Sequence, residues 1–300
     1  MLKQNIEEIK GTLERYPFPL EVIVEVSSYC NLNCVMCPQP KLTRPRGHMS
    51  NHTFEKIVDE MVKESPKSRI WPAIMGEPLL DPGIIKKLSY AGDAGIDIQL
   101  NTNAILVPAE TAKKLVDCKV NTFYIGLDAM YKKTYDKIRL DGDFFLAVKH
   151  TIGLIEIAKE SNSKVVVQLI NMEENDAEVQ NFIDFWTGLG AIVKIRPRLG
   201  WGQGVETSSL VLSESERDFP CPWITRTISI HWNGSIVQCD ADWDDKDVLG
   251  NVNTITIKDI WDGELAKNRE RHWNKDYNFG NCDKCKDWQA GKSYFYYPEE

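Results

Sequence analysis

The sequence has no long apolar run: nothing in it approaches the roughly 18 consecutive apolar residues that a membrane-spanning helix requires. It opens Met1-Leu2-Lys3-Gln4-Asn5-Ile6-Glu7-Glu8, charged from the start and without the apolar stretch of a secretory signal. The expectation is a cytoplasmic protein with no membrane partner. Basic charge is also in short supply. Lys and Arg number 36 against 44 Asp and Glu, a formal net charge of −8. Phosphate binding wants a basic excess or stripe, so no nucleic-acid partner is expected. Internal repeats and low-complexity segments are missing too. Disulfide staples are not needed, because 300 residues at 42% hydrophobic content can bury a large core.

Cysteine, by contrast, is plentiful and unevenly placed. Cys30, Cys34 and Cys37 have the spacing Cys-x3-Cys-x2-Cys and follow an apolar run. Cys221, Cys239, Cys282 and Cys285 come much later, with 17, 42 and 2 residues between them. In an unexported chain such groups point to metal ligation. Three thiolates leave one iron of a cubane open, whereas zinc wants a fourth ligand, and His48, the closest candidate, lies beyond the Pro38-Gln39-Pro40 turn. The four later cysteines would satisfy either tetrahedral zinc or a 4Fe–4S cubane, and spacing does not choose between them. Cys118 stands alone at the end of an apolar helix, where a free thiol packs as a small hydrophobe.

Through the first two thirds, short β-branched runs alternate with amphipathic stretches, the pattern of βα units around a parallel sheet. Strands are expected at 20–26, 69–75, 96–101, 122–127, 164–170 and 192–196. Helices are expected at 51–64, 82–94, 108–116, 144–161 and 177–189, the first capped by Ser50. Six such units form either a partial barrel or a doubly wound sheet. The periodicity stops at Leu199-Gly200-Trp201-Gly202-Gln203-Gly204, and residues 201–218 read as a linker or active-site loop. Beyond it, two alternating runs flank Trp232-Asn233-Gly234, a hairpin signal.

The cysteine triplet after a first strand resembles the signature of the radical S-adenosylmethionine (SAM) superfamily, and three later elements strengthen the likeness. Met75-Gly76-Glu77-Pro78 is similar to the family's Gly-Gly-Glu-Pro element, Leu100-Asn101-Thr102-Asn103-Ala104 to its Thr-Asn-Gly element, and Gly126-Leu127-Asp128 to its Ser-x-Asp element. The resemblance implies an α/β fold, a partial (β/α)6 TIM-like barrel over residues 1–200. It also implies that Cys30, Cys34 and Cys37 hold a 4Fe–4S cluster whose open iron binds SAM. Gly76, Glu77, Asn101, Asn103 and Asp128 would then surround SAM, and Met36, where an aromatic residue is common, would pack on the adenine. One-electron cleavage of SAM yields a 5′-deoxyadenosyl radical in this family, fed by a donor such as flavodoxin or ferredoxin. The region from Cys221-Pro222-Trp223 through Leu249-Gly250-Asn251-Val252 and Ile260-Trp261 to Cys285 looks like the twitch domain, a short form of the SPASM extension. That likeness implies a small hairpin-plus-helix domain at 219–300, with Cys221, Cys239, Cys282 and Cys285 holding one auxiliary 4Fe–4S cluster.

An auxiliary cluster with four protein ligands is suited to passing electrons. Hydrogen abstraction from a carbinol, followed by loss of a proton and an electron, gives a ketone, and this needs a base near the radical carbon. Arg196 and Asp128 are the foremost catalytic candidates; Arg198, Glu77 and His231 share the expected location. Only about 19 residues precede the first strand, fewer than a peptide-recognition domain needs. The expected substrate is therefore small and polar, a sugar or aminocyclitol, as in the aminocyclitol dehydrogenase group. Peptide modification and a zinc-binding interaction protein are the alternatives. Trp201, Trp223, Trp232 and Trp243 could stack on a sugar ring, or serve packing.

Overall fold

The computed structural model describes residues 16–206 and 220–290. The chain begins with β1 (Glu21–Val24) and a two-residue strand β2 (Asn33–Cys34), then α1 (Asn51–Glu64), β3 (Arg69–Pro72), α2 (Ile84–Asp93), β4 (Asp97–Thr102), α3 (Ala109–Asp117) and β5 (Thr122–Gly126). It continues through α4 (Lys132–Ile138), β6 (Arg139–Leu140), α5 (Phe144–Ala158), β7 (Lys164–Asn171), α6 (Val179–Gly188) and β8 (Ile192–Pro197). After the loop come α7 (Pro222–Arg226), β9 (Thr227–Ile230), β10 (Ser235–Val237), β11 (Val248–Asn251), α8 (Ile257–Asp262) and α9 (Glu264–Trp273). Among the described residues no helix is long and apolar enough to cross a membrane.

The six expected strands form, and in the order β1-β3-β4-β5-β7-β8 each lies parallel to its neighbour. This is the partial barrel, with a helix returning the chain between strands. Side chains alternate across each strand. Val22, Val24, Ile70, Ile98 and Leu100 are fully buried and join Phe54, Ile57, Val58 and Met61 of α1 in one hydrophobic core. The opposite faces, at Glu21, Ile23, Trp71, Asn101, Gln168, Lys194 and Arg196, line the barrel lumen. A polar lumen behind an apolar outer face is what positions the site. Ser50 caps α1 as expected, accepting from Thr53 N at 3.0 Å.

Two elements differ from the sequence expectation. The helix α4 went unread because Lys132, Lys133, Asp136 and Lys137 leave only a narrow apolar stripe, and Ile138, Thr134 and Tyr135 alone turn inward. The hairpin β9–β10 turns at Gly234 (φ 86°), but it does not stand apart from the barrel. β9 lies parallel to β1, with Glu21 opposite Thr227 and Val24 opposite Ile230, while β10 and β11 continue the sheet antiparallel. The result is one nine-stranded sheet, β11-β10-β9-β1-β3-β4-β5-β7-β8. Of the segment 201–218, residues 207–218 lie outside the described residues. The rest is tied down: Gly202 N–H donates to Asp287 at 3.1 Å, as does Gly200 N–H just before the segment at 2.6 Å, and Trp201 Nε1 donates to Met36 O at 3.1 Å.

Candidate active site

All the strand ends that carry the singled-out motifs open on the same end of the barrel. Cys30, Cys34 and Cys37 line a cavity of about 200 Å³ there, together with Met36, Gly76, Glu77, Asn101 and Asn103. β2 pins the cysteine loop by pairing Cys34 with Arg139. Gly76 has φ 120°, and a Cβ there would lie 2.2 Å from Ser27 O. Only glycine lets the end of β3 pass this close to the loop. Glu77 is buried and ties strand ends together, accepting from Thr102 Oγ1 at 2.8 Å, Asn103 N at 2.9 Å and Leu79 N at 3.2 Å. Burial pushes its carboxyl up, and these hydrogen bonds oppose the rise. Asn103 Nδ2 donates to Asn31 Oδ1 at 2.9 Å, which bridges this strand end to the cysteine loop.

Asp128 departs from its expected place. Its carboxylate is fully buried and does not line the cavity. It accepts from Arg139 Nε and Nη2 at 2.9 and 2.6 Å and from Ile170 N at 2.7 Å. Those bonds hold the carboxylate against Arg139 and the Ile170 N–H rather than on the cavity wall. The cavity instead receives Arg139, which fills the space beside Gly126, where a Cβ would lie 2.2 Å from Nη2. Burial raises the Cys34 thiol, and Arg139 beside it pulls the other way. Burial also pushes the Cys30 and Cys37 thiols up, to about 11 and about 12.

A second cavity of about 150 Å³ adjoins the first. Met36, Ile74, Asn101, Gln168, Ile170 and Trp201 border both. Arg196 lies in this second cavity as expected, with its Nη1 3.3 Å from Gln168 Oε1. Lys194, Trp71, Trp223 and Asp240, none of them read as site residues except Trp223, share its walls. Burial and the nearby Asp287 push the Asp240 carboxyl up to about 6, and Arg196 opposes this. Asn101 Oδ1 and Trp71 Nε1 are buried with no hydrogen-bond partner among the described residues. Trp232 and Trp243 serve packing: their indole N–H groups donate to Pro45 O and Trp201 O at 3.0 and 3.1 Å. His231 is fully buried against Asp245, and Arg198 Nη2 donates to Val35 O at 3.1 Å, so neither is among the cavity walls. Cys118 is buried in the core, 3.2 Å from Ser89 Oγ.

The later thiols converge as well. Cys221, Cys239, Cys282 and Cys285, gathered from across three strands and three helices, line one largely apolar cavity with Ile224 and Trp288. All seven thiols of the two groups are free of disulfides. Burial drives Cys221 and Cys239 upward, and the neighbouring thiols add to it. Among the described residues no three metal-ligating side chains close around a single-ion site. The thiols line two cavities, one for each group. The soft thiolate donor sets fit iron–sulfur clusters.

The family model of the radical SAM superfamily matches residues 24–185. The chain belongs to the radical SAM superfamily. A second model, SPASM, an iron–sulfur cluster-binding domain, matches residues 221–286. Radical SAM and SPASM domains together bring iron–sulfur clusters and SAM as cofactors, which resolves the metal left open by spacing in favour of iron and sulfide. Among radical SAM relatives, the AdoMet-dependent heme synthase of Methanosarcina barkeri is 25% identical over 66% of this chain and 56% of its own length. The mycofactocin maturase MftC of Mycobacterium tuberculosis is 24% identical over 63% of this chain and 47% of its own length. The chain thus spans about half the length of these relatives. Two solved structures share the fold. BtrN in complex with AdoMet and 2-DOIA has a TM-score of 0.61 at 16% identity, covering 89% of this chain and 93% of BtrN. Streptococcus suis SuiB bound to the precursor peptide SuiA has a TM-score of 0.71 at 16% identity, covering 88% of this chain and 70% of SuiB.

Proposed function

We propose that this radical SAM enzyme oxidises a carbinol of a small sugar or aminocyclitol to a ketone. In this reading residues 1–200 form the catalytic core and residues 219–300 the auxiliary domain, joined by 201–218. Cys30, Cys34 and Cys37 hold the SAM-binding 4Fe–4S cluster, and Cys221, Cys239, Cys282 and Cys285 hold the auxiliary one. When bound, these groups would supply a hydrogen-abstracting radical and an electron acceptor.

The carrying observation is the second cavity. It opens onto the wall formed by Met36, Asn101 and Trp201 beside the first thiols, and it reaches Asp240, the residue after Cys239. A substrate there lies between the two groups. Its walls suit a polyol: Trp71 Nε1 offers a buried donor, Asn101 Oδ1 a buried acceptor, and Trp201 and Trp223 offer faces for a ring. Arg196 and Asp240 face the cavity together, where Arg196 can hold the carbinol oxygen and the Asp240 carboxylate can take its proton. Met36, Gly76, Glu77, Asn101 and Asn103 form the SAM pocket, with Glu77 and Asn103 acting through the strand ends they tie. BtrN, crystallised with AdoMet and 2-DOIA, supports this reading through a shared fold over nearly the whole of both chains.

A peptide substrate is the second reading, favoured by SuiB, crystallised with a precursor peptide, and by relatives named mycofactocin maturase and PqqA peptide cyclase. The test is mass spectrometry of products from a panel of aminocyclitols and sugars, run in deuterated buffer with a reductant. Dehydrogenation gives a product lighter by two hydrogens, with one SAM consumed per turnover. A product one mass unit heavier, with one carbon-bound hydrogen replaced by solvent deuterium and no hydrogen lost overall, means epimerisation and sinks the proposal. Arg196→Met is expected to lose product while SAM cleavage persists.

A further inference from the structure

Gln238 follows β10 and immediately precedes Cys239. Its side chain does not reach toward that neighbour. It is buried, and its Nε2 lies 2.9 Å from the sulfur of Cys282, which is distant in sequence. The other end of the amide is held from α9, where Asn268 Nδ2 donates to Gln238 Oε1 at 2.7 Å. Chemistry fixes the direction of both bonds. A metal-bound thiolate accepts hydrogen bonds and has none to give, so the amide must turn its NH2 toward sulfur and its carbonyl toward Asn268.

We propose that Gln238, oriented by Asn268, sets the reduction potential of the auxiliary cluster; this rests on reading Cys282 as a ligand of that cluster. One added electron increases the negative charge on the cluster sulfurs. A donor aimed at a ligand sulfur stabilises the reduced form and raises the potential. Two nearby carboxylates work in the opposite sense, since Asp240 stands beside Cys239 and Asp287 is near Asp240. Backbone N–H groups of Trp223 and Ile224 serve Cys221 and cannot be removed by changing a side chain. Gln238 is therefore a side chain placed to tune this centre as an electron acceptor.

The experiment uses the full chain carrying Cys30/Cys34/Cys37→Ala, reconstituted anaerobically so that one cluster is present, and titrated by EPR against redox potential. Gln238→Leu, Gln238→Glu and Asn268→Leu are compared in that background. Each is expected to keep about four irons. Gln238→Leu should lower the reduced-to-oxidised ratio at fixed potential about tenfold, equivalent to about 59 mV for a one-electron couple. Gln238→Glu should lower it further, because it places a carboxylate at the sulfur, and Asn268→Leu should lower it less. An unchanged midpoint in Gln238→Leu and Gln238→Glu with iron retained overturns the proposal, as does loss of iron from all three variants, which would make the residue a structural prop. Absence of iron from the background itself, with Gln238 present, overturns instead the assignment of Cys282 as a ligand.

Discussion

The two groups of thiols reach similar environments by opposite routes. The first three belong to one loop, pinned by a short strand pair and served by a cation, Arg139, beside Cys34. The other four are collected from a helix start, the end of a hairpin and a distant turn, and the side chain that meets them is a neutral amide, with acidic neighbours. A cation near a cluster favours the more negative, reduced state, and carboxylates oppose it. The difference teaches that one site is assembled locally and the other by tertiary structure, so damage should spread differently from each.

The largest expected effect separates the two outright. Cys30/Cys34/Cys37→Ala should abolish SAM cleavage and halve the iron from about eight to about four, while Cys282/Cys285→Ala should halve the iron yet leave uncoupled SAM cleavage. Iron and sulfide assays with Mössbauer spectra read the first quantity, and chromatographic assay of 5′-deoxyadenosine the second. If both variants lose SAM cleavage alike, the functional division fails. Next in size, Arg139→Leu should cost about 3–5 kcal/mol in chemical denaturation, because it leaves the Asp128 carboxylate buried without its partner. The double variant Arg139→Leu/Asp128→Leu should recover much of the loss. No comparable penalty is expected from Gln238→Leu.

Gly76→Ala probes how tightly the first loop is fitted. With a Cβ forced to 2.2 Å from Ser27 O, SAM affinity measured by equilibrium binding should fall about tenfold or more, about 1.4 kcal/mol, with the auxiliary cluster unaffected. The smallest effect lies on the seam between the groups. Asp244, from the auxiliary region, accepts from Thr43 Oγ1 at 2.6 Å, Thr43 N at 2.7 Å and Arg44 N at 3.1 Å, beside the cysteine loop. Partial burial alone would raise its carboxyl, but these bonds hold it below the usual range. A depressed carboxylate contributes stability above its unfolded value, near 3.9, and loses it as pH falls through the lower folded value. Asp244→Asn should therefore cost up to about 1 kcal/mol at pH 7, screened by solvent, and less in acid as pH falls through the lowered folded value. Denaturation curves at pH 7 and in acid check this.

What could be read from sequence followed the range of each interaction. The six barrel strands and the cysteine triplet announce themselves through neighbours along the chain, as does the Asn233-Gly234 turn. The lumen residues Lys194, Gln168 and Trp71 were present as an every-second-residue pattern, but their facing becomes clear only once strand register is known. Asp128 ends its strand as the motif suggests, yet its carboxylate is taken by Arg139, and no local rule announces that partner. Asp240 gave no sign beyond lying next to a cysteine. The parallel pairing of β9 with β1 has no short-range signal at all, because parallel neighbours need a long crossover.

That pairing has a consequence for how the molecule is made. β1 leaves the ribosome well before β9, yet they are neighbours in the finished sheet. Until β9 arrives, one edge of β1 stands open, an invitation to wrong partners. A chain cut before Thr227 should keep its first three thiols but emerge with that edge uncovered and prone to aggregation.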